Sequence, residues 1–458
     1  MSDQAIPVFS ANTEEQIGTV PRSGPDEVDR AVAGARAAFD DPKGWQTADR
    51  ADALRSLATA MDARIPENAR LVSEQNGMPI ALSTNADAPH PGRLLRYYAD
   101  LLDGPLGETE ETRGTTLIRS VPLGVVGAIA PWNFPNTMAA LKYAPALAAG
   151  CTVVLKPSPE TSLDARLLTE AIQDADLPPG VLTVLPGDAE TGALLVEHPG
   201  IDKVSFTGST AVGHWIGEVS GRLLRPTTLE LGGKSAAIVL DDADLDLAKV
   251  GAALTPALFG NNGQTCFVSS RVLAPRTRYD EVVEAIATLA ASLTVGNSLE
   301  PATRIGPLVS AAQRRRVEGY IAQGKASGGR LVTGGGRPAH LPKGWFVEPT
   351  VFADVDNGHP IAREEIFGPV ITITPYDSDD DAVRVANDSE YGLAGTVWTE
   401  DPERGLAIAK QVVTGSFGIN RYQPDTSAPS TMTKASGLGT KFGPEALTSY
   451  RRFQSVYL

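Results

Sequence analysis

Cysteine is nearly absent: Cys151 and Cys266 are the only two in 458 residues, too few for a disulfide framework. A reducing setting follows, and the expected location is the cytoplasm. The five histidines, His90, His198, His214, His340 and His359, carry no recognisable triad context, which disfavours a hydrolase built on Cys and His. No stretch approaches the ~20 apolar residues of a membrane span, and Met1 to Ser10 has no basic region leading into an apolar one. Positive charge is in deficit, with 40 basic against 55 acidic side chains and a net charge of −15. Neither nucleic acid nor a membrane is therefore expected as a partner. The Gly-x-Gly-x-x-Gly fingerprint of dinucleotide sites is missing, and no metal site is expected.

What remains is an ordinary globular composition, 42% hydrophobic and 21% charged, long enough for about three domains or subdomains at ~150 residues each. Helical and strand periods alternate, so the expected fold is α/β with a largely parallel sheet. Asp26–Phe39 and Ala48–Arg64 have the apolar spacing of amphipathic helices. Leu123–Ala130, Thr152–Leu155, Lys203–Phe206 and Ser235–Leu240 are short apolar runs closed by Pro, Gly or Ser, the pattern of buried parallel strands. Ala144–Gly150 and Leu163–Ala175 are expected to be crossover helices.

Gly263-Gln264-Thr265-Cys266 lies 36 residues after Glu230, counted from Glu230 to Cys266, and Glu230 itself opens Glu-Leu-Gly-Gly-Lys. A thiol and a carboxyl group in separate glycine-bearing turns suit covalent catalysis followed by hydrolysis. Taken alone, Cys266 could equally be a small buried hydrophobe, and Glu230 a solvated surface charge. Phe206-Thr-Gly-Ser-Thr210 before a helical stretch offers backbone N–H groups to a phosphate, although a capped strand–turn–helix explains it equally well. Thr333-Gly-Gly-Gly-Arg337 lacks the Gly-Lys-Ser/Thr ending of a phosphate loop.

Six motifs in order carry a resemblance. Pro131-Trp-Asn-Phe-Pro135, Lys156-Pro-Ser158, Phe206-Thr-Gly-Ser-Thr210, Leu229-Glu-Leu-Gly-Gly-Lys234, Gly263-Gln-Thr-Cys266 and Glu364-Glu-Ile-Phe-Gly-Pro369 resemble the aldehyde dehydrogenase superfamily over nearly the whole chain. The resemblance implies oxidation of an aldehyde to a carboxylic acid with hydride transfer to NAD, NADP being the alternative. It makes Cys266 the nucleophile, Asn133 an oxyanion donor and Glu230 the base that directs water at the thioester, with Lys142 in a proton relay behind it. Cys266 is expected to gain acidity from nearby backbone N–H groups, and Glu230 to have a pKa raised by partial desolvation. A CoA-acylating relative is disfavoured because it generally lacks the base; a catalytically weak binding or structural homologue is disfavoured by the full catalytic set.

For the cofactor the resemblance implies Lys156 on the adenosine ribose, Ser209 on the pyrophosphate, and Glu365 with Phe367 at the nicotinamide ribose and ring. Ile129, Trp132, Ser158, Gly208, Val212 and Leu231 are expected around them. Pro159-Glu160 departs from the position where NAD-preferring relatives often carry a glutamate, and no arginine lies beside it for a 2′-phosphate. Phe134, Met138, Leu141, Thr265 and Phe267 are expected to line an apolar substrate tunnel. Pro429-Ser-Thr-Met-Thr-Lys-Ala-Ser-Gly437 departs from the family's aromatic and glycine pattern, Ser430 standing where an aromatic residue helps wall the tunnel. A widened tunnel for a bulky or elongated aldehyde is expected.

The implied architecture is a Rossmann-like cofactor domain, residues 1–105 and 123–232, and an α/β catalytic domain, residues 233–425. A small β oligomerisation arm and tail, residues 106–122 and 426–458, complete it. Thr115–Pro122 and Tyr450–Leu458 have strand character, and a homodimer or homotetramer is expected.

Overall fold

Two parallel sheets with helices on both faces make up most of the computed structural model, which describes residues 5–46, 48–107 and 109–458. Met1 to Gln4, part of the segment screened for a targeting signal, lies outside them.

The first sheet has six strands in the order Gly437–Leu438, Thr227–Glu230, Lys203–Thr207, Val125–Ile129, Thr152–Lys156 and Leu182–Val184. All pair in parallel except Gly437–Leu438, which adds to the edge antiparallel. Val125–Ile129, Thr152–Lys156 and Lys203–Thr207 are buried at every position, as strands covered on both faces must be. On one face Arg50–Asp62, His90–Leu102 and Pro135–Ala149 pack around Leu54, Leu57, Leu94, Leu95 and Tyr143. On the other, Pro25–Asp40, Ala189–Glu197 and Thr210–Arg222 pack around Val28, Val32, Leu195 and Ile216.

One helix is much longer than its sequence pattern implied. The crossover helix expected over Ala144–Gly150 is the last part of a single helix, Pro135–Ala149, with Pro145 inside it. Thirteen of its fifteen residues are buried, so it has no polar face to betray a 3.6-residue period. Gly150, at φ 95°, ends it in the left-handed region.

The second sheet has seven strands in the order Arg330–Thr333, Thr350–Ala353, Val370–Tyr376, Arg271–Pro275, Ala236–Val239, Gly395–Trp398 and Gly418–Ile419, antiparallel only at Arg330–Thr333. Leu247–Phe259 and Tyr279–Ser292 cover one face; Asp379–Asn387 and Pro402–Ala409 cover the other. Arg271, buried at the start of its strand, donates to Asn357 Oδ1 at 2.7 Å, Val385 O at 2.7 Å and Ala386 O at 2.8 Å.

A three-stranded antiparallel sheet joins Arg451–Tyr457 to Thr116–Pro122 and then to Glu110–Arg113, in register from Arg451↔Pro122 to Tyr457↔Thr116. It leaves Phe453 and Tyr457 exposed. Among the described residues no helix is long and apolar enough to cross a membrane.

Replacing Arg271 with Met would strip two buried carbonyls of charge-assisted donors. The expected loss is about 3 kcal/mol of stability, read from the midpoint of denaturant unfolding.

Candidate active site

The turn that carries Cys266 begins where the helix Leu247–Phe259 stops. Asn261, Asn262 and Gly263 follow one another in the left-handed region, at φ 51°, 62° and 74°. Asparagine tolerates that conformation better than most side chains, and glycine is required at the third position. A Cβ on Gly263 would stand 2.1 Å from Gly368 O. Amide side chains hold the turn from several directions. Asn261 Nδ2 donates to Asn133 O at 2.7 Å, and Asn262 Nδ2 to Gly77 O and Pro307 O at 2.9 Å each. Gln264 Oε1 accepts from Val309 N at 3.0 Å, and Asn133 Nδ2 donates to Gln264 O at 3.0 Å.

This turn delivers Cys266 to the end of the strand Thr227–Glu230, where its thiol donates to Glu230 Oε1 at 3.1 Å. Both side chains are buried, Cys266 at 8% exposure and Glu230 at 3%. Parallel pairing of the neighbouring strand sets Thr207 opposite Glu230, and Thr207 Oγ1 donates to Glu230 Oε2 at 3.1 Å. Lys142, on the buried helix, in turn donates to Thr207 Oγ1 at 2.7 Å. Lys441 reaches the other oxygen, Glu230 Oε1, at 2.6 Å.

These contacts correct two electrostatic expectations. Burial alone would raise the Glu230 carboxyl, but Lys441, the Cys266 hydrogen bond and Lys142 together hold it below the usual carboxylate range. Burial, with the Glu230 carboxylate beside it, pushes the Cys266 thiol well above the ordinary thiol value. The thiol is therefore protonated at neutral pH, and its turn does not by itself make it acidic. Burial also lowers the Lys142 ammonium to about 7.

Two cavities flank the step from Cys266 to Phe267. A cleft of about 250 Å³ lies at the carboxyl ends of the first sheet's strands and is lined by Trp132, Asn133, Gly208, Ser209, Leu231, Cys266, Glu365 and Phe367. Ser209 caps the helix Thr210–Arg222, so the cleft ends on free backbone N–H groups at a helix start. Glu365 Oε1 accepts from Gly233 N at 3.0 Å, and burial brings its carboxyl up to about 7. Phe367, at φ 62°, sets its ring edge-on to Trp132 with centroids 5.2 Å apart. On the other side of the Cys266–Phe267 step, a cavity of about 580 Å³ is lined by Phe134, Met138, Phe267 and Ser430, together with Phe417, Tyr422, Lys441 and Phe442.

Eight expected site residues lie outside these linings: Glu230 and Lys142, which line the small pocket behind the thiol, and six others. Leu141 borders a small pocket behind Glu230, because its helix turns it away from the cavity that Met138 faces. Thr265 is buried and donates to Gly260 O at 2.9 Å, closing the turn that carries Cys266. Lys156 donates to Pro157 O at 2.7 Å and Gly187 O at 2.9 Å, which occupies two of its three N–H donors. Ser158 donates to Glu160 Oε2 at 2.6 Å. Ile129 is buried at its strand end, and Val212 is exposed on the first turn of its helix.

Lys441, Met432 and Tyr422 were not anticipated. Met432 packs on Cys266 with Leu393, and Tyr422 stacks on Phe267 with centroids 4.6 Å apart. Met432 lies in Pro429–Gly437, noted only for departing from a family pattern; Tyr422 and Lys441 lie outside that segment, and no local periodicity marks any of the three. The antiparallel strand Gly437–Leu438, paired with Leu229 and Glu230, is what folds this segment over the thiol.

A buried thiol and carboxylate lie between a dinucleotide-type cleft and an apolar cavity, the arrangement of an oxidoreductase that works through cysteine. The chain belongs to the aldehyde dehydrogenase family: the family model, described as "Aldehyde dehydrogenase family", matches residues 1–456. The chain is 51% identical to a geranial dehydrogenase from Castellaniella defragrans, over 100% of this chain and 96% of the relative. It is 43% identical to a putative aldehyde dehydrogenase, DhaS, from Bacillus subtilis, over 97% and 90%. Among solved structures, an aldehyde dehydrogenase from Mycobacterium tuberculosis complexed with NAD+ superposes with a TM-score of 0.95 at 45% identity, covering 100% of this chain and 95% of that one. A mutant of aldehyde dehydrogenase C from Pseudomonas syringae, complexed with NAD+ and octanal, gives 0.96 at 36% identity, covering 100% and 94%.

With its thiol protonated in the cofactor-free protein, Cys266 should react slowly with iodoacetamide at neutral pH. Its alkylation rate, followed by peptide mapping, is expected to go on rising with pH beyond ~10, by which point an ordinary thiol of pKa ~8.5 has levelled off.

Proposed function

We propose that this enzyme oxidises an elongated apolar aldehyde to its carboxylic acid, with NAD as the hydride acceptor and Cys266 as the nucleophile. The contact that carries this reading is the 3.1 Å hydrogen bond from Cys266, which lines the cleft, to Glu230, with Phe267 beside the thiol lining the apolar cavity. Glu230 Oε1 takes the thiol proton, and the thiolate attacks the aldehyde carbon. Asn133, whose amide now rests on Gln264 O, turns a donor to the oxyanion together with the Cys266 N–H. When bound, the nicotinamide cofactor supplies the acceptor for the hydride. The thioester left on Cys266 is attacked by water as Glu230 takes a proton from it. Before water attacks, Glu230 must give up the thiol proton: Thr207 and Lys142, whose ammonium is lowered to about 7 and which can therefore accept as a neutral amine, provide a hydrogen-bonded route for that proton and then for the one taken from water. A CoA-acylating outcome is disfavoured, since Glu230 stands ready to activate water.

The cleft fits a dinucleotide: the pyrophosphate would meet the helix start at Ser209 and the nicotinamide ribose would meet Glu365, with Phe367 and Trp132 as walls. Lys156 and Ser158 lie at the next strand end, toward an adenosine ribose. Glu160, held by Ser158, sets a carboxylate there that disfavours a 2′-phosphate, which supports NAD over NADP. The similar structures solved with NAD+ support the same choice. The 580 Å³ cavity, with Ser430 in its wall, has room for a long or branched chain. A geranial-oxidising relative and an octanal complex among the similar structures agree with it.

We assign residues 1–105 and 123–232 to a cofactor domain, 233–425 to a catalytic domain, and 106–122 with 426–458 to an oligomerisation arm and tail. The exposed Phe453 and Tyr457 of the arm sheet would be covered in a dimer or tetramer, and the cytoplasm suits its two free thiols.

Reduced-cofactor formation across an aldehyde panel tests this reading. Aldehydes of eight to ten carbons should exceed acetaldehyde in kcat/KM, NAD should exceed NADP, and CoA should not be required. Cys266→Ala should abolish turnover, Glu230→Gln should cut the steady state at least ~10²-fold, and Asn133→Ala should lower kcat by ~10² to 10³. A strict CoA requirement, or turnover by Cys266→Ala, would overturn it.

A further inference from the structure

Lys441 is the least expected charge in the site. It lies in the short strand Thr440–Lys441, paired antiparallel with Ser430–Thr431 so that Lys441 faces Ser430 across the ladder. Its side chain is 13% exposed, that of Glu230 4%, and their charged atoms are 2.6 Å apart. Burying a carboxylate in such surroundings without a counter-charge is costly enough that the group would take up a proton instead. Phe442, the next residue, is held at φ 64°, an unfavourable conformation for a bulky side chain. It walls the apolar cavity and sets its ring 5.7 Å from the Lys441 ammonium, so the lysine is held from its own backbone as well as from its partner.

We propose that Lys441 is a positioning residue: its ammonium keeps Glu230 as a carboxylate turned onto the Cys266 thiol, ready to take the first proton of the reaction. The inference rests on the assignment of Glu230 as the base. Every charged or titratable group around Glu230 has a place in it. Lys142 approaches the opposite oxygen only through Thr207 and, with its own ammonium lowered by burial to about 7, is only partly charged at neutral pH. Lys441 is shifted the other way, upward, by Glu230 and Cys266 against the effect of its burial, and stays charged. Tyr422 and Glu365 also face the group; burial keeps the Tyr422 phenol neutral, and Glu365 is near half-charge at neutral pH.

The proton transfer itself is balanced around this cation. The S–H bond of Cys266 breaks, its proton passes to Glu230 Oε1, and the electron pair stays on sulfur as the nucleophile. Negative charge moves from the carboxylate to the thiolate, while Lys441 remains beside both. The ammonium therefore stabilises reactant and product of the transfer, which no neutral side chain at this position would do.

The sign of the pH effect follows. Glu230 acts as a carboxylate, and Lys441 holds its pKa down; without the lysine, burial prevails and the pKa rises. Lys441→Met and Lys441→Gln should move the acid limb of the kcat–pH profile upward by at least ~1 unit, equivalent to ~10-fold less activity at a pH below the limb. Lys441→Arg should keep the limb near the wild-type position, and KM for NAD should stay within ~2-fold in all three. Thermal melts establish that the variants are folded. Wild-type profiles for both neutral variants, or an equal shift in Lys441→Arg, would overturn the clamp. Failure of both neutral variants to fold while Lys441→Arg folds would also overturn it, by making the charge purely structural. The Glu230→Gln enzyme separates the two readings. If it turns over like the wild type, the base assignment falls and the clamp with it; if it is inactive while the Lys441 variants keep the wild-type profile, only the clamp falls.

Discussion

The site depends on a short stretch of backbone that runs in the left-handed sense. Asn261, Asn262 and Gly263 reverse the chain within three residues, a path that ordinary side chains resist and that a Cβ at Gly263 would block against Gly368 O. The strain is compensated by amide hydrogen bonds reaching Asn133, Gly77, Pro307 and Val309, groups that belong to widely separated parts of the chain. One turn thereby joins the two halves of the molecule and fixes where the thiol emerges. Gly233 accommodates the same approach from the other side, since a Cβ there would stand 2.4 Å from Cys266 O.

Once the thiol is so placed, its chemistry is governed by burial and by the charges that burial forces together. A buried thiol alone is a poor acid, and a buried carboxylate alone is protonated. Set 3.1 Å apart with Lys441 on one carboxylate oxygen and a Thr207–Lys142 chain on the other, they form a poised donor and acceptor. The strand-end cleft, which Cys266 itself lines, and the apolar cavity, which Phe267 lines, then lie on the two sides of this pair.

Motifs were legible where function demands a particular residue in a particular local turn. Cys266, Glu230, Asn133, Glu365 and Phe367 stand in glycine- or proline-bounded segments that can be recognised in isolation, and all five meet at or beside the cleft. Short buried strands such as Thr152–Lys156 were equally plain, because a run covered on both faces has a simple composition. The helix Pro135–Ala149 was shortened in the sequence reading because burial all round erases periodicity. Leu141 and Thr265 were misplaced for a related reason: adjacency to a motif residue says nothing about the direction of a side chain, and each points away from the cavity that its neighbour lines.

The sequence by itself determined the family and singled out the thiol and the carboxyl group that meet in the fold, because covalent chemistry constrains residue type and local turn strongly enough to leave a mark along the chain. Tertiary structure decided the charge state of that chemistry. Lys441 and Glu230 are 211 residues apart and share no motif; they meet because Gly437–Leu438 adds antiparallel to the strand that ends at Glu230. Electrostatic interaction in a buried site depends on separation in space and on exclusion of water, neither of which is written in sequence order.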